Sequence, residues 1–127
     1  MVWHFNSELP IYSQLVEHIR RAIAAGALEP GARLASVRDL SLEAGVNPNT
    51  MQRAMQQLER EGLVYAQRSN GRFVTEDTAV IGKAREKLAE EHVRRYRAEM
   101  KSLGFSEREM VSLLEGSGEG DDNGLVS

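Results

Sequence analysis

The sequence predicts a mainly α-helical protein with a small β-wing: a winged helix-turn-helix followed by a short two-helix C-terminal dimerisation region. Two helical segments are joined only by a turn that contains Gly45, which is the signature of a helix-turn-helix. Directly after Gly62 the apolar period changes to that of two short strands, with Asn70-Gly71 at the turn between them. A helix-turn-helix followed at once by a hairpin indicates a winged helix more specifically than either part alone.

The chain divides accordingly into three predicted parts. Residues 1–76 form the winged helix-turn-helix, residues 77–115 a helical dimerisation region, and residues 116–127 a disordered tail. The tail is rich in glycine and acidic residues and has no apolar period, so it cannot bury enough apolar surface to fold.

The first helix follows an apolar stripe at intervals of four residues and ends near Gly26. Its stripe consists of Ile11, Leu15, Ile19 and Ile23. A loop with turn chemistry at Pro30-Gly31 leads to the second helix. That helix opens at Ser36, with Asp39 placed three residues later as in a capping box.

The third helix carries the strongest functional signal. Asn47 is a suitable N-cap, and Pro48 suits the first helical position. The core stripe of this helix is Met51, Ala54, Met55 and Leu58. The residues outside that stripe are polar and rich in amides: Asn49, Thr50, Gln52, Arg53, Gln56 and Gln57. Amide side chains match the adenine edge in the major groove of DNA, and arginine matches guanine.

Base contact is predicted from the N-terminal half of this helix, because recognition helices read bases mainly with their N-terminal residues. The predicted base-contacting residues are Asn49, Thr50, Gln52 and Arg53. Glu59 and Glu61 near the other end would repel phosphate, which favours the same assignment. The alternative is a polar face that contacts only solvent.

Further DNA contacts are predicted on either side of this helix. They are Ser36, Arg38 and Asn47 at the helix-turn-helix, and Arg68, Asn70, Gly71 and Arg72 at the wing. Arg38 lies in the first turns of the second helix, within reach of a phosphate or a groove, and the wing arginines suit the backbone or the minor groove. The alternatives are a surface ion pair for Arg38 and a hairpin kept soluble by its charge.

The C-terminal region is predicted to dimerise. One apolar stripe follows the long helix that starts near Thr78, and another helix restarts after Phe105 with Ser106 and Glu109 as a capping box. The predicted dimerisation residues are Ile81, Ala84, Leu88, His92, Tyr96, Met100, Leu103, Met110 and Leu114. One short helix cannot bury this stripe, so a second subunit is the economical partner. The alternative is that the long helix folds back on its own winged helix.

Composition narrows the functional class. The 127 residues include no cysteine, so disulfides and thiolate metal sites are excluded, and His4, His18 and His92 lack paired ligand spacing. The net charge of −3 conceals an asymmetry. Residues 1–75 carry eight arginines against seven acidic residues, whereas residues 76–127 carry eight basic residues against twelve acidic ones. A nucleic-acid partner for the N-terminal part is compatible with this distribution.

The sequence indicates neither a membrane helix nor a secretion signal. No apolar run approaches the roughly 20 residues that a membrane helix needs, and the N-terminus lacks the pattern of a secretion signal. We expect a soluble, cytoplasmic protein without a cofactor.

A dense, ordered series of short motifs spans about residues 8–76. The motifs are P-I-Y-S-Q-L, G-A-L-E-P-G-A-R-L, S-V-R-D-L, V-N-P-N-T, L-E-R-E-G-L-V and G-R-F-V. In this order they resemble the GntR family of bacterial transcription regulators, and N-P-N-T with the short C-terminal part resembles its YtrA subfamily. The resemblance implies a winged-helix repressor that dimerises through its C-terminal helices and binds an inverted-repeat operator. Members of this subfamily often regulate neighbouring transporter genes.

The chain departs from the family pattern at several positions. Ala35 replaces the usual proline before Ser36, and Pro48 and Gln52 stand where the wider family commonly has DNA-contacting arginines. In the wing, Ser69 replaces a glycine. We expect Ser69 to restrict the approach of the wing to DNA and the added charge of Arg72 to offset this.

Sequence-specific DNA binding with repression is therefore the leading interpretation. The alternative is a winged-helix module that binds another protein, with the acidic end contacting a basic partner. An enzyme is disfavoured, because the sequence offers no cysteine nucleophile, metal cluster, phosphate-binding loop or recognisable Ser/His/Asp arrangement.

Overall fold

A computed structural model of the chain describes the backbone of residues 1–124 and the side chains of residues 1–116. Its helices are α1 (Ile11–Ala24), α2 (Val37–Ala44), α3 (Pro48–Arg60), α4 (Thr78–Ser102) and α5 (Glu107–Gly124), and its strands are β1 (Val64–Gln67) and β2 (Gly71–Val74). This order confirms the predicted fold class, a winged helix-turn-helix followed by two helices. Within residues 1–124 no helix combines the length and the apolar character that crossing a membrane requires.

The chain forms two compact units, Met1–Lys87 and a second that starts at Leu88. All parts of the winged helix contribute to the core of the first unit: Leu15, Val16, Ile19, Ile23, Leu34, Leu40, Met51, Ala54, Met55, Leu58, Leu63, Val64 and Val74. The predicted stripe of α3 lies entirely in this core, with no measurable exposure at any of its four positions. Burying a methionine or leucine side chain stabilises the fold by about 1.5–3 kcal/mol, so the rotation of α3 about its axis is strongly fixed.

The predicted caps define the helix-turn-helix. The Ser36 hydroxyl accepts a hydrogen bond from the Asp39 N–H at 3.0 Å, and Asn47 Oδ1 accepts one from the Asn49 N–H at 2.8 Å. Between these caps Gly45 adopts a φ of 70°, a left-handed conformation that favours glycine and ends α2. These local interactions fix the residue at which α3 begins.

The loop between α1 and α2 contributes a third extended segment to the wing, in addition to the two predicted strands. Arg33 forms an antiparallel bridge with Phe73 of β2. The N–H of Leu34 donates to the carbonyl of Arg72 at 2.9 Å. Because the two segments are far apart in the sequence, no local pattern indicates this pairing.

The turn of the wing also differs from the prediction. Gln67 pairs with Gly71 in the antiparallel register, so the loop consists of residues 68–70 rather than of an Asn70-Gly71 turn. Ser69, in the middle of this loop, has a φ of 72° and is the one non-glycine residue with positive φ within the described chain. The residue that replaces the family glycine thus adopts the conformation for which glycine is suited.

Two predicted dimerisation residues contact the winged helix of their own chain. Ile81 and Ala84 of α4 are half-buried and pack, together with Val80, against the core of the first unit. The fold-back alternative therefore applies to the first turns of α4.

The second unit contains the remainder of α4 and helix α5. Met110 is 1% exposed, and its carbonyl accepts a hydrogen bond from the Tyr96 hydroxyl at 3.1 Å. Glu107 forms an exposed ion pair with Arg97 at 3.3 Å. Tyr96 and Met110, both predicted to dimerise, thus have partners within their own unit.

Helix α5 begins with the predicted capping box. The Ser106 N–H donates to the Glu109 carboxylate at 3.0 Å, and the Glu109 N–H donates to the Ser106 hydroxyl at 3.2 Å. The helix continues to Gly124, whereas the sequence predicts a disordered tail from residue 116. Glycine lowers helix propensity by about 1 kcal/mol relative to alanine but does not forbid helical backbone, and no proline interrupts this segment. Residues 125–127 of the predicted tail lie outside the described residues.

The conformation of Ser69 leads to a stability prediction. Ser69→Gly removes the Cβ that disfavours the left-handed backbone, so it should raise the free energy of unfolding by roughly 0.5–1 kcal/mol after the entropy of the unfolded glycine is allowed for. Urea unfolding of the full chain measures this. The matched control is Ser13→Gly on the exposed side of α1, which should destabilise the protein by up to about 1 kcal/mol. A loss of stability in Ser69→Gly would contradict the strain assigned to this turn.

Candidate nucleic-acid interface

Helix α3 presents the predicted polar face outward. Its exposed members are Asn49, Arg53 and Gln56, and its half-buried members are Thr50, Gln52 and Gln57. Since the apolar stripe of the same helix is fully buried, this polar face cannot turn inward without exposing the core. Amide and guanidinium groups are thus held on the outer surface of the helix.

Ser36 and Asn47, predicted to contact DNA, are both exposed and act as helix caps. Each side-chain oxygen already accepts one backbone N–H group, while the Ser36 hydroxyl hydrogen and the Asn47 amide nitrogen remain as donors that suit a phosphate oxygen. Arg38 is exposed in the first turn of α2, and no side chain of residues 1–116 forms an ion pair with it.

Arg53 has an aromatic partner in addition to its predicted role on the polar face of α3. The centre of its guanidinium lies over the ring of Tyr12 in α1, 4.5 Å from the ring centroid. Tyr12 is half-buried and packs against the core, one helical turn before the buried Leu15. The available signal in the sequence is that Tyr12 occupies the solvent edge of the apolar side of α1.

An ion pair joins the C-terminal end of α3 to α1. Arg20 donates to both carboxylate oxygens of Glu61, at 2.8 Å and 2.7 Å, and Gln57 donates to the same carboxylate at 2.9 Å. Burial raises the pKa of Glu61, but the hydrogen bonds from Arg20 and Gln57 and the charges of Arg20 and Lys87 outweigh it, so the pKa lies below its usual value. Glu61, expected to repel phosphate, is therefore largely neutralised by Arg20.

A second ion pair joins α3 to the wing and revises the role predicted for Arg72. Arg72 of β2 is half-buried, and its Nε donates to the Glu59 carboxylate. The guanidinium therefore offsets the negative charge of Glu59 rather than adding a free charge to the wing.

Arg33 is a cation beside the wing that is not among the predicted DNA-contacting residues. It is exposed, and its Nε would lie 3.5 Å from a Cβ placed on Gly71. Arg68 is exposed in the wing turn, where Asn70 donates to the Gln67 side chain at 3.4 Å. Among residues 1–116, no hydrogen bond or ion pair restrains the guanidinium of Arg33 or Arg68. The free charge at the wing thus comes from these two arginines.

The second unit exposes apolar side chains that its own packing leaves uncovered. Of the remaining predicted dimerisation residues, Leu88 and Met100 are half-buried, whereas His92, Leu103 and Leu114 are exposed. Further exposed apolar side chains, not among the predicted ones, are Val93, Val111 and Leu113.

The sequence of the winged helix matches a known family. Residues 11–74 match the model of the bacterial regulatory proteins of the gntR family. The matched segment covers half of the chain. The chain belongs to the GntR family. It is a DNA-binding transcriptional regulator, as the resemblance in its motifs indicates, and its relatives are helix-turn-helix regulators rather than enzymes.

Two curated relatives from Bacillus subtilis support the assignment to this GntR branch. The uncharacterised HTH-type transcriptional regulator YhcF is 36% identical over 107 residues, which is 84% of this chain and 88% of that protein. The HTH-type transcriptional repressor YtrA is 37% identical over 81 residues, 61% of this chain and 62% of that protein. The resemblance to YtrA is thereby confirmed.

Solved structures of other proteins share the fold. A GntR family transcriptional regulator from Listeria monocytogenes superposes with a TM-score of 0.82 and 33% identity, covering 88% of this chain and 98% of that one. The DNA-binding domain of AraR, solved in complex with operator ORX1, has a TM-score of 0.51 and 30% identity, covering 59% of this chain and 93% of that domain.

The Glu61–Arg20 pair of this GntR regulator gives its stability a defined pH dependence. Because the pKa of Glu61 is lowered in the folded state, the stabilisation is fully present above about pH 4.3, the usual glutamate value, and is lost as the pH falls through the folded-state pKa. Glu61→Gln should lower the free energy of unfolding by about 1 kcal/mol at neutral pH, and this deficit should shrink towards zero in acid.

Urea unfolding of both proteins across this pH range tests the effect. Glu8→Gln, which alters an exposed carboxylate, is the matched control and should unfold like the wild type at every pH. A deficit of the same size at neutral and acidic pH would show that the charge of Glu61 is not the cause.

Proposed function

We propose that this GntR regulator is a repressor that binds an inverted-repeat operator as a homodimer, with α3 in the major groove and the wing beside the backbone. The observation that carries the proposal is the fixed rotation of α3, whose buried stripe leaves Asn49, Gln52 and Arg53 facing outward. These side chains carry the donor and acceptor patterns that complement adenine and guanine edges.

The charges around α3 support DNA binding. Glu59 and Glu61 at its C-terminal end are paired with arginines, so their repulsion of phosphate is reduced. Arg33, Arg38 and Arg68 remain as unpaired cations within residues 1–116. We assign Arg33 and Arg68 to phosphate contacts from the wing, in place of the contact predicted for Arg72.

Repression is favoured by the relationship to YtrA, which is a transcriptional repressor in Bacillus subtilis. A dimer bound across a promoter would exclude RNA polymerase from the same DNA. The subfamily resemblance also favours a neighbouring transporter operon as the regulated unit and the cytoplasm as the place of action.

Fluorescence anisotropy with the DNA upstream of the gene for this chain, compared with a scrambled duplex across a salt series, tests the proposal. The wild type should bind the first duplex selectively, and its affinity should fall steeply with salt. Arg53→Ala and Asn49→Ala should each lose about 1–3 kcal/mol of discrimination, because each removes a base-reading group.

Two further variants serve as controls in the same assay. Gln56→Ala alters an exposed residue in the other half of α3 and should retain selectivity. Arg33→Ala should weaken binding to both duplexes alike and reduce the salt slope by about one. Weak wild-type binding to both duplexes would direct the search to genomic fragments, and failure to select any fragment would leave the protein-interaction module as the better explanation.

Dimerisation is proposed through the apolar side chains that the second unit leaves uncovered. Leu103 is 72% exposed, and Val111 and Leu114 are 51% and 55% exposed. Val111 and Leu114 are three residues apart and therefore lie on one face of α5. Two recognition helices in a dimer would read half-sites one DNA turn apart, a spacing of roughly 34 Å.

Replacement of both α5 residues by acids tests this surface. The double variant Val111→Glu, Leu114→Glu replaces two apolar side chains that the proposed dimer would bury and adds negative charge. The dissociation constant of the dimer should therefore rise at least about tenfold. Sedimentation equilibrium over a range of concentrations measures this. Ser112→Glu, off the shared face, should stay dimeric, and a wild type that remains monomeric throughout would refute the proposed assembly.

A further inference from the structure

We infer that Tyr12 is a positioning residue for DNA recognition. Its ring holds the Arg53 side chain in place on α3, so the guanidinium is oriented before it meets a base edge. The inference rests on the proposed function of α3 as the reading helix. It assigns a role in selectivity to a residue of α1, which lies outside the helix-turn-helix itself.

The position of Tyr12 suits this role. Its ring belongs to the apolar side of α1, where half-burial against the core restricts its movement. Arg53 is the sixth residue of α3 and directly precedes the fully buried Ala54. Because Arg53 is exposed and contacts Tyr12 of α1, its side chain lies at the edge of the contact between α1 and α3. The guanidinium lies over the ring at 4.5 Å from the centroid, well within the roughly 6 Å of a cation–π contact.

An aromatic partner has a different effect from an acidic one. The guanidinium groups of Arg20 and Arg72 are held by glutamates, which neutralise their charge and occupy their N–H donors. The face of the Tyr12 ring offers no oxygen acceptor, so Arg53 is restrained while its full charge is retained. Of these three restrained arginines, Arg53 is the one equipped to meet a guanine O6 and N7 with paired donors.

Restraint before binding favours selectivity. A free arginine side chain samples many rotamers, and the entropy lost on binding opposes the complex. The ring removes part of that freedom in the unbound protein. Loss of the ring should therefore weaken binding by about two- to five-fold, which is part of the ordering cost of one long side chain on binding, and should do so only while Arg53 is present.

A double-mutant cycle on the full chain tests the coupling. The DNA is the tightest duplex that the wild type selects from a random-sequence pool, together with all single base-pair changes in it. Tyr12→Leu removes the ring, Tyr12→Phe retains it, and each is measured with Arg53 intact and in the Arg53→Ala background. Tyr65→Leu is the matched control, because the Tyr65 ring stacks on Phe73 in the wing and not on Arg53.

The expected result has three parts. Tyr12→Leu loses about two- to five-fold in affinity with Arg53 intact and nothing further in the Arg53→Ala background. It relaxes discrimination at the same base pair as Arg53→Ala, which a purely structural role would not do. Tyr12→Phe behaves as the wild type, and Tyr65→Leu shows no dependence on Arg53.

Other results overturn the inference. If Tyr12→Leu lost the same affinity in both backgrounds, or relaxed discrimination at a different base pair, Tyr12 would only pack against the core and would not position Arg53. If Tyr12→Leu does not fold, NMR of the wild type tests whether the contact exists in solution. The Arg53 Hε resonance should be shifted by the ring current of Tyr12, and a resonance without this shift would exclude the contact. If the wild type selects no duplex at all, the proposed function itself fails, which is distinct from a failure of the coupling.

Discussion

The burial of one face of α3 is the constraint on which the remaining features depend. Met51, Ala54, Met55 and Leu58 have no measurable exposure. A rotation of the helix would bring amide and guanidinium groups into the core without hydrogen-bond partners, at a cost of several kcal/mol for each group. Apolar packing, which has no base preference of its own, thus decides which side chains are available to DNA.

The position of α3 along its axis is set by separate interactions at its two ends. The Asn47 cap and the left-handed Gly45 fix the first turn. At the other end, Arg20 binds Glu61 and a wing arginine binds Glu59. The same pairs remove negative charge that would oppose phosphate. Stability and the electrostatics of binding are therefore served by the same contacts, whereas Arg53 is restrained in a way that leaves its charge available.

Local features of this chain could be predicted from the sequence, and long-range side-chain contacts could not. Apolar periodicity and residues such as Asn47 act within one or two helical turns, so they indicate the helices and their starts. The Tyr12–Arg53 contact and the Glu59–Arg72 pair join different elements, and only the folded chain shows them. The same reason explains the missed third segment of the wing. The sequence likewise gives no sign that Arg72 pairs with Glu59, because no local pattern shows which acidic residue a basic one will meet.

The pair between Glu59 and Arg72 has a mechanical consequence. It fastens β2 to the end of α3, so in the proposed complex the wing and α3 would approach a duplex together as one body. DNA whose groove widths do not fit the fixed spacing of α3 and the wing would have to bend or twist to contact both elements. The energy of that deformation depends on the stiffness of the base steps. Base pairs that no side chain touches would then influence affinity through their flexibility.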